Sequence, residues 1–423
     1  MSEIKRKKKK KKWMRFRHKV VWFIGRPIVF LITRLFYGYR YKKIKRKDAR
    51  QSLIISNHQN GFDQFFVALN FPQVIYFIAS EALFSTGFMG RFISWAAGPI
   101  PIKKSTTDVR AVANLLRIVK EGGTVGIFPE GNRSFDGKNG YIKKSVAQLA
   151  KKVNIPLVLY KLEGGYGTHP RWSDTRRKGR VTGSIARVLE PEELEEMSVD
   201  EIYDIIITTL FHDDHDTGGE FRSKKMAEHF ERVMYVCPRC GLSNFFGKGN
   251  SFGCKKCGLT AEMQPDLSIK LSENDASFDF KTEGQWYDYQ QDYIRKLDKN
   301  AYTDTPAYED KVKEYKVIPY ENTVCTMEEA LIRLYSDRYE FYLPDGNLQK
   351  TVNFSDMSAA AVQNANMLII YMNCGDYYQI HGGVEFNAIK YVNFYYHFLG
   401  TGLFKLTGSD KFSGEKNVEF LGI

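Results

Sequence analysis

A histidine and an aspartate stand five positions apart in the segment ISNHQNGFD, residues 55–63, directly after an apolar run. Asp63 is close enough in the chain to hold one imidazole nitrogen of His58, which leaves the other nitrogen to take a proton from a hydroxyl. Asn57 and Gly61 favour a tight turn at a strand end, where reactive side chains are often presented. Taken alone, however, this pair is more typical of an ordinary polar turn than of a catalytic site.

A second polar turn follows another apolar strand, in the segment FPEGNRS at residues 128–134. A glycine-containing turn with Arg133, followed by Lys138, suits a phosphate monoester, because guanidinium offers a planar fork to two oxygens. The alternative for this segment alone is a polar loop with an exposed arginine. The two segments together favour chemistry on a phosphorylated substrate more strongly than either does by itself.

Four of the six cysteines form two C-x-x-C pairs, Cys237 with Cys240 and Cys254 with Cys257, separated by 13 residues. This spacing is typical of a tetrahedral zinc site of the ribbon type. We therefore predict Zn²⁺ as a structural cofactor held by these four thiolates. Because such thiolates must stay reduced to bind metal, the spacing also indicates a cytosolic compartment.

The formal charge of +13 is concentrated at one end of the chain. Residues 1–50 hold 20 Lys or Arg against two acidic residues, a net of +18, so the remaining 373 residues are net acidic at −5. The apolar stretch Val20–Tyr39 is interrupted by Arg26, Pro27 and Arg34, and falls short of the ~20 apolar residues that span a bilayer. We expect residues 1–50 to form an interfacial helix pair on the anionic cytoplasmic face of a membrane. A disordered basic tail with a core helix is the alternative, and the acidic body disfavours nucleic acid as a partner.

The elements that would position the two polar turns follow an alternating pattern over residues 51–230. This alternation of short buried strands with amphipathic helices predicts an α/β layer architecture. The predicted strands are Ser52–Ser56, Val74–Ala79, Thr124–Phe128 and Pro156–Leu162, and the predicted helices are Gln64–Leu69, Thr107–Lys120 and Ile142–Lys152.

The second half of the chain changes character three times. A zinc ribbon is predicted at 236–262, then a polar linker at 263–315 with one helix around Trp286–Leu297, and then a β-rich domain at 316–423. Alternation in Ala330–Leu343 and Met367–Met372, with a helix at Asn387–Leu399, resembles a pleckstrin-homology or GRAM-like barrel.

The two polar turns, with two weaker blocks, resemble the glycerolipid acyltransferase family, which includes glycerol-3-phosphate and lysophosphatidic acid acyltransferases. That family is recognised by N-H-x-x-x-x-D and F-P-E-G-T-R-S blocks, with a block between them and one after them. Here the second block is Ile100–Ser105 and the fourth is Ile155–Tyr160, and all four occur in the family order. Lys104 stands where the family usually has Arg, Asn132 replaces Thr, and Leu159 replaces a proline. These differences concern the acyl acceptor, not the His58 and Asp63 pair.

The resemblance implies a central mixed sheet with flanking helices, and direct transfer of a fatty acyl group from acyl-CoA or acyl carrier protein to a lysophospholipid. It implies that His58 is the general base and that Asp63 orients it. The leading acceptor is 1-acylglycerol 3-phosphate, with another lysolipid or glycerol 3-phosphate as alternatives. A different class of function is an inactive lipid-binding adaptor that recruits partners through the ribbon. The residues that the resemblance places at the acceptor are Lys104, Glu130, Gly131, Asn132 and Arg133.

Overall fold

The computed structural model describes residues 12–42, 44–45, 49–84, 87–102, 109–272, 278–318 and 323–400. The first part of the chain forms a mixed seven-stranded sheet with strand order β1-β7-β6-β2-β5-β3-β4, in which β6 and β7 are antiparallel and the other pairs are parallel. The α/β prediction is confirmed. The elements are α1 (Phe16–Tyr37), β1 (Arg40–Tyr41), β2 (Leu53–Ser56), α2 (Asp63–Asn70), β3 (Ile75–Ser80), α3 (Glu81–Phe84), α4 (Gly87–Ala97), β4 (Ile100–Ile102), α5 (Val109–Lys120), β5 (Thr124–Ile127), α6 (Ser145–Val153), β6 (Leu157–Glu163), α7 (Gly165–Thr168), β7 (Thr182–Leu189), α8 (Pro191–Glu196) and α9 (Val199–Leu210).

Helices cover both faces of this sheet because its central strands are apolar on both sides. In β2, Leu53 and Ile55 lie in a core that includes side chains of α5, α6 and α9, whereas Ile54 lies in the opposite core with α2. β2 and β5 are parallel neighbours, paired from Leu53 with Val125 onward. Their carboxyl ends therefore meet at one edge of the sheet, which brings the two polar turns together.

The expected pair of N-terminal helices is wrong, because α1 is one continuous helix of 22 residues with Pro27 inside it. Proline removes one backbone hydrogen bond from a helix, but packing can hold the two halves in line. α1 packs on α2 and α4, and Arg26 Nη2 donates to Leu69 O at 2.6 Å just before the proline. By length and composition α1 could cross a membrane, and little of its apolar surface is buried. Residues 1–50 are also not a separate segment, since β1 pairs with β7 in the sheet.

The cysteine segment forms small sheets, and its strands continue past residue 262. The next segment, 263–315, was expected to be a linker with one helix, but it also contributes β13 and most of the first strand of the C-terminal sheet. Its polar composition is misleading because most of its described charged residues are exposed, whereas Trp286 and Ile294 of its helix are fully buried. The elements here are β8 (Val236–Cys237), β9 (Gly241–Leu242), β10 (Phe245–Lys248), β11 (Ser251–Cys254), β12 (Thr260–Met263), β13 (Ile269–Leu271) and α10 (Glu283–Arg295).

The C-terminal part is a seven-stranded antiparallel sheet with order β17-β16-β15-β14-β20-β19-β18, followed by a helix. The predicted β-rich domain and its final helix are confirmed. The alternation predicted over 330–343 belongs to two strands, because a turn at 335–337 separates them. The elements are β14 (Tyr308–Val317), β15 (Thr323–Leu334), β16 (Arg338–Tyr342), β17 (Leu348–Asn353), β18 (Met357–Gln363), β19 (Met367–Met372), β20 (Tyr377–Gly382) and α11 (Ala388–Phe398).

A continuous aromatic core joins the three parts. Trp172, in the segment between α7 and β7, packs on Phe230 with ring centroids 4.8 Å apart, and Phe230 packs on Phe252 of β11 at 4.7 Å. Phe252 in turn lies 5.5 Å from Trp286 of α10. Tyr235, just before β8, lies 6.2 Å from Phe394 of α11, so the same core reaches the C-terminal part.

Candidate active site

His58 and Asp63 form a close pair in the turn between β2 and α2. His58 Nδ1 lies 2.8 Å from Asp63 Oδ2, which also accepts backbone hydrogen bonds from Gln59 N at 2.7 Å and Asn60 N at 2.8 Å. Asp63 is fully buried and is the first residue of α2, where the helix dipole favours a negative charge. The carboxylate is thus held in one position against the imidazole.

The second polar turn holds the first one in place. The Phe128 ring stacks on the His58 ring with centroids 4.5 Å apart and planes at 22°. Glu130 Oε1 accepts hydrogen bonds from His58 N at 2.9 Å and from Asn139 Nδ2 at 3.1 Å. Ser134 N donates to His58 O at 3.1 Å. Contacts on both sides of the histidine therefore come from the segment that follows β5.

The surroundings of His58 favour the neutral form of its imidazole. Burial lowers its pKa below the ordinary 6.5, the neighbouring Asp63 opposes that effect, and the charges of Arg133 and Arg171 lower the pKa further. The imidazole is therefore neutral at neutral pH. With Nδ1 turned to Asp63, Nε2 has no hydrogen bond to any residue that the structure describes, and 19% of the side chain is exposed. A neutral histidine with this arrangement can accept a proton at Nε2.

Arg133 lies beside the same turn. A Cβ added at Gly61 would stand 3.5 Å from Arg133 Nη1, so the guanidinium passes close to the turn that carries His58. Gly131 has a φ of +66°, which allows the sharp turn before the arginine. Asn132 and Arg133 are half-buried, whereas Glu130 is buried and braces the loop through its hydrogen bonds. Lys104 lies outside the described residues.

No motif in the sequence indicated Arg171, whose side chain contacts the loop after β5. Its Nη1 donates to Arg133 O at 3.1 Å, and its guanidinium lies over the Phe135 ring at 4.4 Å. Its Nε donates to Asn364 O at 2.9 Å, and its Nη2 donates to Val362 O. Val362 lies near the end of β18 and Asn364 in the turn that follows it, both in the C-terminal sheet. The loop after β5 is therefore linked directly to the C-terminal part.

Arg176 adds further positive charge toward α1, whereas His169 beside it is a neutral ring. Burial, together with the charges of Arg133 and Arg176, lowers the pKa of His169 to about 4. Arg176 is exposed and lies over the Phe36 ring of α1 at 4.3 Å. The rim of the site near α1 is thus cationic and close to the exposed apolar helix.

The four cysteines that the sequence pairs by spacing meet in space. All four Sγ atoms lie within 4.8 Å of one another, with 3.5 Å from Cys237 to Cys257 and 3.5 Å from Cys240 to Cys254. Four thiolates at the usual Zn–S distance of ~2.3 Å stand roughly 3.8 Å apart around a tetrahedral ion. The donor set and its spacing therefore fit one tetrahedral metal ion.

Comparisons with known proteins find acyltransferases. The sequence model of the Acyltransferase family matches residues 39–159. The 1-acyl-sn-glycerol-3-phosphate acyltransferase BAT2, chloroplastic, of Brassica napus is 33% identical over 26% of this chain and 32% of its own length. The human 1-acyl-sn-glycerol-3-phosphate acyltransferase beta is 30% identical over 37% of this chain and 56% of its own length.

The crystal structure of the 1-acyl-sn-glycerophosphate acyltransferase PlsC from Thermotoga maritima is 25% identical, covers 47% of this chain and 82% of that one, and has a TM-score of 0.38. The chain spans 32 to 64% of the length of the first curated relatives that it matches. Both polar turns that build the candidate site lie within the matched residues 39–159. Residues 39–159 therefore match the Acyltransferase family, and the relatives found are 1-acyl-sn-glycerol-3-phosphate acyltransferases.

Proposed function

We propose that this protein transfers a fatty acyl group from acyl-CoA or acyl carrier protein to the hydroxyl of a lysophospholipid, with 1-acylglycerol 3-phosphate as the leading acceptor. The observation that carries the proposal is the 2.8 Å contact between His58 Nδ1 and the buried Asp63, which leaves Nε2 of a neutral imidazole as a proton acceptor. The names of the relatives support the choice of acceptor.

In the proposed reaction, the acceptor hydroxyl attacks the thioester carbonyl while His58 Nε2 takes its proton. The tetrahedral intermediate then expels the thiolate, which receives that proton from the imidazolium, so the ester forms as the thioester breaks. Asp63 stabilises the imidazolium between the two steps. General-base assistance of this kind is typically worth ~10² to 10⁴ in rate. No serine or cysteine nucleophile takes part.

Arg133 is the proposed ligand for the acceptor phosphate, because its guanidinium is a planar donor beside the His58 turn. The turn at Gly131 and Asn132 would present further donors to the phosphate oxygens. Lys104 is proposed as a second cation by position in the family pattern alone. Glu130 would act indirectly, since its buried carboxylate accepts hydrogen bonds from the backbone of His58 and from the side chain of Asn139.

Membrane binding through α1 and α4 would deliver the lipid substrate. α1 is roughly 33 Å long at 1.5 Å per residue and is held to the domain at both ends. His18 Nδ1 lies 3.2 Å from Tyr76 Oη near its start, and Tyr37 packs on Phe62 at its end. A helix held in this way lies along the domain, which favours peripheral or monotopic attachment at the cytoplasmic face over crossing. The exposed apolar side chains are Phe16, Val20, Phe23, Ile24, Ile28, Phe30, Leu31, Leu35 and Phe36 of α1, and Phe88, Met89, Phe92 and Trp95 of α4.

The cysteine cluster is proposed to hold Zn²⁺ as a structural ion. Binding to the folded segment would stabilise the packing between the first sheet and the C-terminal part, because metal-binding free energy contributes directly to folding. Cys237, Cys240, Cys254 and Cys257 would be its four ligands.

The test is mass spectrometry of the lipid products that the purified full chain makes from acyl-CoA and a panel of acceptors. The panel contains several lysolipids and glycerol 3-phosphate. We expect His58→Gln to reduce product formation by about 10³-fold or more, since the base is removed. His381→Gln in β20 is the matched control, and wild-type turnover is expected for it. Equal product from wild type and His58→Gln would contradict the role of His58 as the base, and no product from the wild type would contradict acyl transfer and favour the inactive lipid-binding adaptor.

A further inference from the structure

A cavity of about 340 Å³ lies at the beginning of α1, where that helix meets the end of α4 and the start of β4. Four basic side chains line it, Lys12, Arg15, Arg17 and Arg117, and no Asp or Glu is among the described residues of its lining. Glu121 stands next to it and is engaged by Trp13 N, Met14 N and Arg117 Nε. The cavity therefore has an excess of positive charge.

The cavity is separate from the candidate active site. Its His18 contacts Tyr76, the second residue of β3, at the amino end of the parallel strands, whereas His58 follows the carboxyl end of β2. α1 runs from the cavity to Tyr37, which packs beside the His58 turn through Phe62. The two places are thus at opposite ends of one helix of roughly 33 Å.

His18 provides an unused buried donor in the cavity wall. The side chain is 3% exposed, and its Nε2 is buried without a hydrogen-bond partner among the residues described. Burial and the charges of Arg17 and Arg15 lower its pKa, so the ring is neutral. When the Tyr76 hydroxyl donates to Nδ1, Nε2 carries the hydrogen and can donate it to an oxyanion. An unpaired buried nitrogen is costly, and an anion in the cavity would satisfy it.

Two backbone features adjoin His18 in the cavity wall. Gly98 has a φ of +58°, and a Cβ at this position would stand 2.7 Å from His18 Cε1 and 3.2 Å from Nε2. α1 begins after Arg15 with no side-chain cap and no acidic residue in its first turn. The first amides of a helix and its dipole favour a negative group at this end.

The surroundings point to a lipid as the source of the anion. Phe16 of α1 and Phe88 and Phe92 of α4 are exposed next to the cavity-lining segments. Arg17 Nε donates to Trp95 O at 2.9 Å, and its guanidinium lies 5.6 Å from the centroid of the Trp95 ring. Aromatic and basic side chains that mix in this way are typical of the headgroup level of a membrane.

We propose that this cavity binds the phosphate of an anionic membrane lipid at a second, non-catalytic site. The headgroup would hold the start of α1 at the membrane surface, so that the other end presents the candidate active site to the same surface. The inference rests on the membrane attachment in the proposed function and is independent of acyl transfer.

The test is binding of the full chain to vesicles of phosphatidylcholine with phosphatidylglycerol, measured by sedimentation in an Arg133→Gln background that weakens the proposed acceptor site. Arg91→Gln removes one charge from exposed α4 outside the cavity lining, and its loss of affinity should be about five-fold, as for any basic residue near the surface. Arg15→Gln should lose about 30-fold, because it also removes charge-assisted hydrogen bonds. His18→Phe, which changes no charge on a neutral ring, should still lose about five-fold.

Equal losses for Arg15→Gln and Arg91→Gln, with wild-type binding by a folded His18→Phe, would overturn the inference. Calorimetry with inorganic phosphate separates the two sources of the anion. One outcome would contradict a lipid site and assign the cavity to a soluble phosphate. In that outcome Arg15→Gln abolishes the binding of inorganic phosphate but weakens vesicle binding no more than Arg91→Gln does. None of these binding results depends on acyl transfer. A failure of the proposed function can therefore be distinguished from a failure of this inference.

Discussion

Replacing Asp63 by asparagine tests the proposed mechanism most directly. Asp63 Oδ2 accepts from Gln59 N and Asn60 N and lies 2.8 Å from His58 Nδ1. The amide oxygen of an asparagine has the same shape and can accept the same three hydrogen bonds. The substitution therefore removes the negative charge while the turn stays folded.

The expected size of the effect follows from the distance. In the transition state His58 becomes an imidazolium, and two unit charges 2.8 Å apart attract by about 6 kcal/mol at an effective dielectric constant of about 20. An asparagine dipole keeps part of this attraction, since a hydrogen bond to a charged group is worth about 1.5 to 3 kcal/mol. The loss should be roughly 3 to 5 kcal/mol, which lowers kcat by about 10² to 10⁴-fold.

The pH dependence of the rate gives an independent check. The proposed mechanism requires neutral His58, so the rate of the wild type should fall as the pH drops through the His58 pKa, which burial places below 6.5. Asp63 raises this pKa against the effect of burial. Asp63→Asn should therefore move the acidic limb to lower pH, and at the same time lower the plateau.

The assay is formation of acylated lipid, measured by mass spectrometry over a range of pH. Asp174→Asn is the matched control, because it removes a carboxylate that is bound to Arg232 in the same part of the chain without contact to His58. Its kcat should stay near that of the wild type. The mechanism would be refuted if Asp63→Asn kept kcat within about ten-fold of the wild type, or if its acidic limb moved to higher pH.

Three further predictions concern the support of the site. Arg171→Met should raise KM for the acceptor by about 10-fold and leave KM for acyl-CoA unchanged. It should also move the acidic limb of the pH profile to higher pH, because the charge of Arg171 lowers the pKa of His58 in the wild type. Arg171→Lys should keep the limb in place, and an unmoved limb in both variants would argue against this positioning role. Cys240→Ser, or a chelator that removes the proposed zinc ion, should speed amide exchange in the cysteine segment and in the C-terminal sheet, and unchanged exchange would contradict a structural ion. Asn57→Ala should lower the free energy of unfolding by about 2 to 4 kcal/mol in denaturant titration, because both backbone groups of Leu162 lose a buried partner. A loss below about 1 kcal/mol would show that water replaces the side chain.

Much of the local structure could be predicted from the sequence because its determinants lie close together in the chain. The strands at 52–56 and 124–128 follow from short apolar runs, and the contact of His58 with Asp63 follows from a five-residue spacing across one turn. The four cysteines meet because two tight C-x-x-C turns need only one hairpin to bring them together. Interactions of this kind depend on a few neighbouring residues, which the sequence displays.

Other features depended on parts of the chain that are distant in sequence. Pro27 suggested a break in the N-terminal helix, but packing of α1 on α2 and α4 keeps the helix continuous. The polar segment 263–315 looked like a linker, yet its apolar residues are buried against elements on either side in the sequence.

Arg171 shows the same limit at the candidate site. Its partners Asn364 and Val362 are almost two hundred residues away, and no residue near Arg171 in the sequence predicts these contacts. Residue types and short spacings determined which groups could do chemistry in this protein. Only the tertiary structure decided which distant groups hold His58 and Arg133 in place, because such contacts exist only after separate sheets have packed against each other.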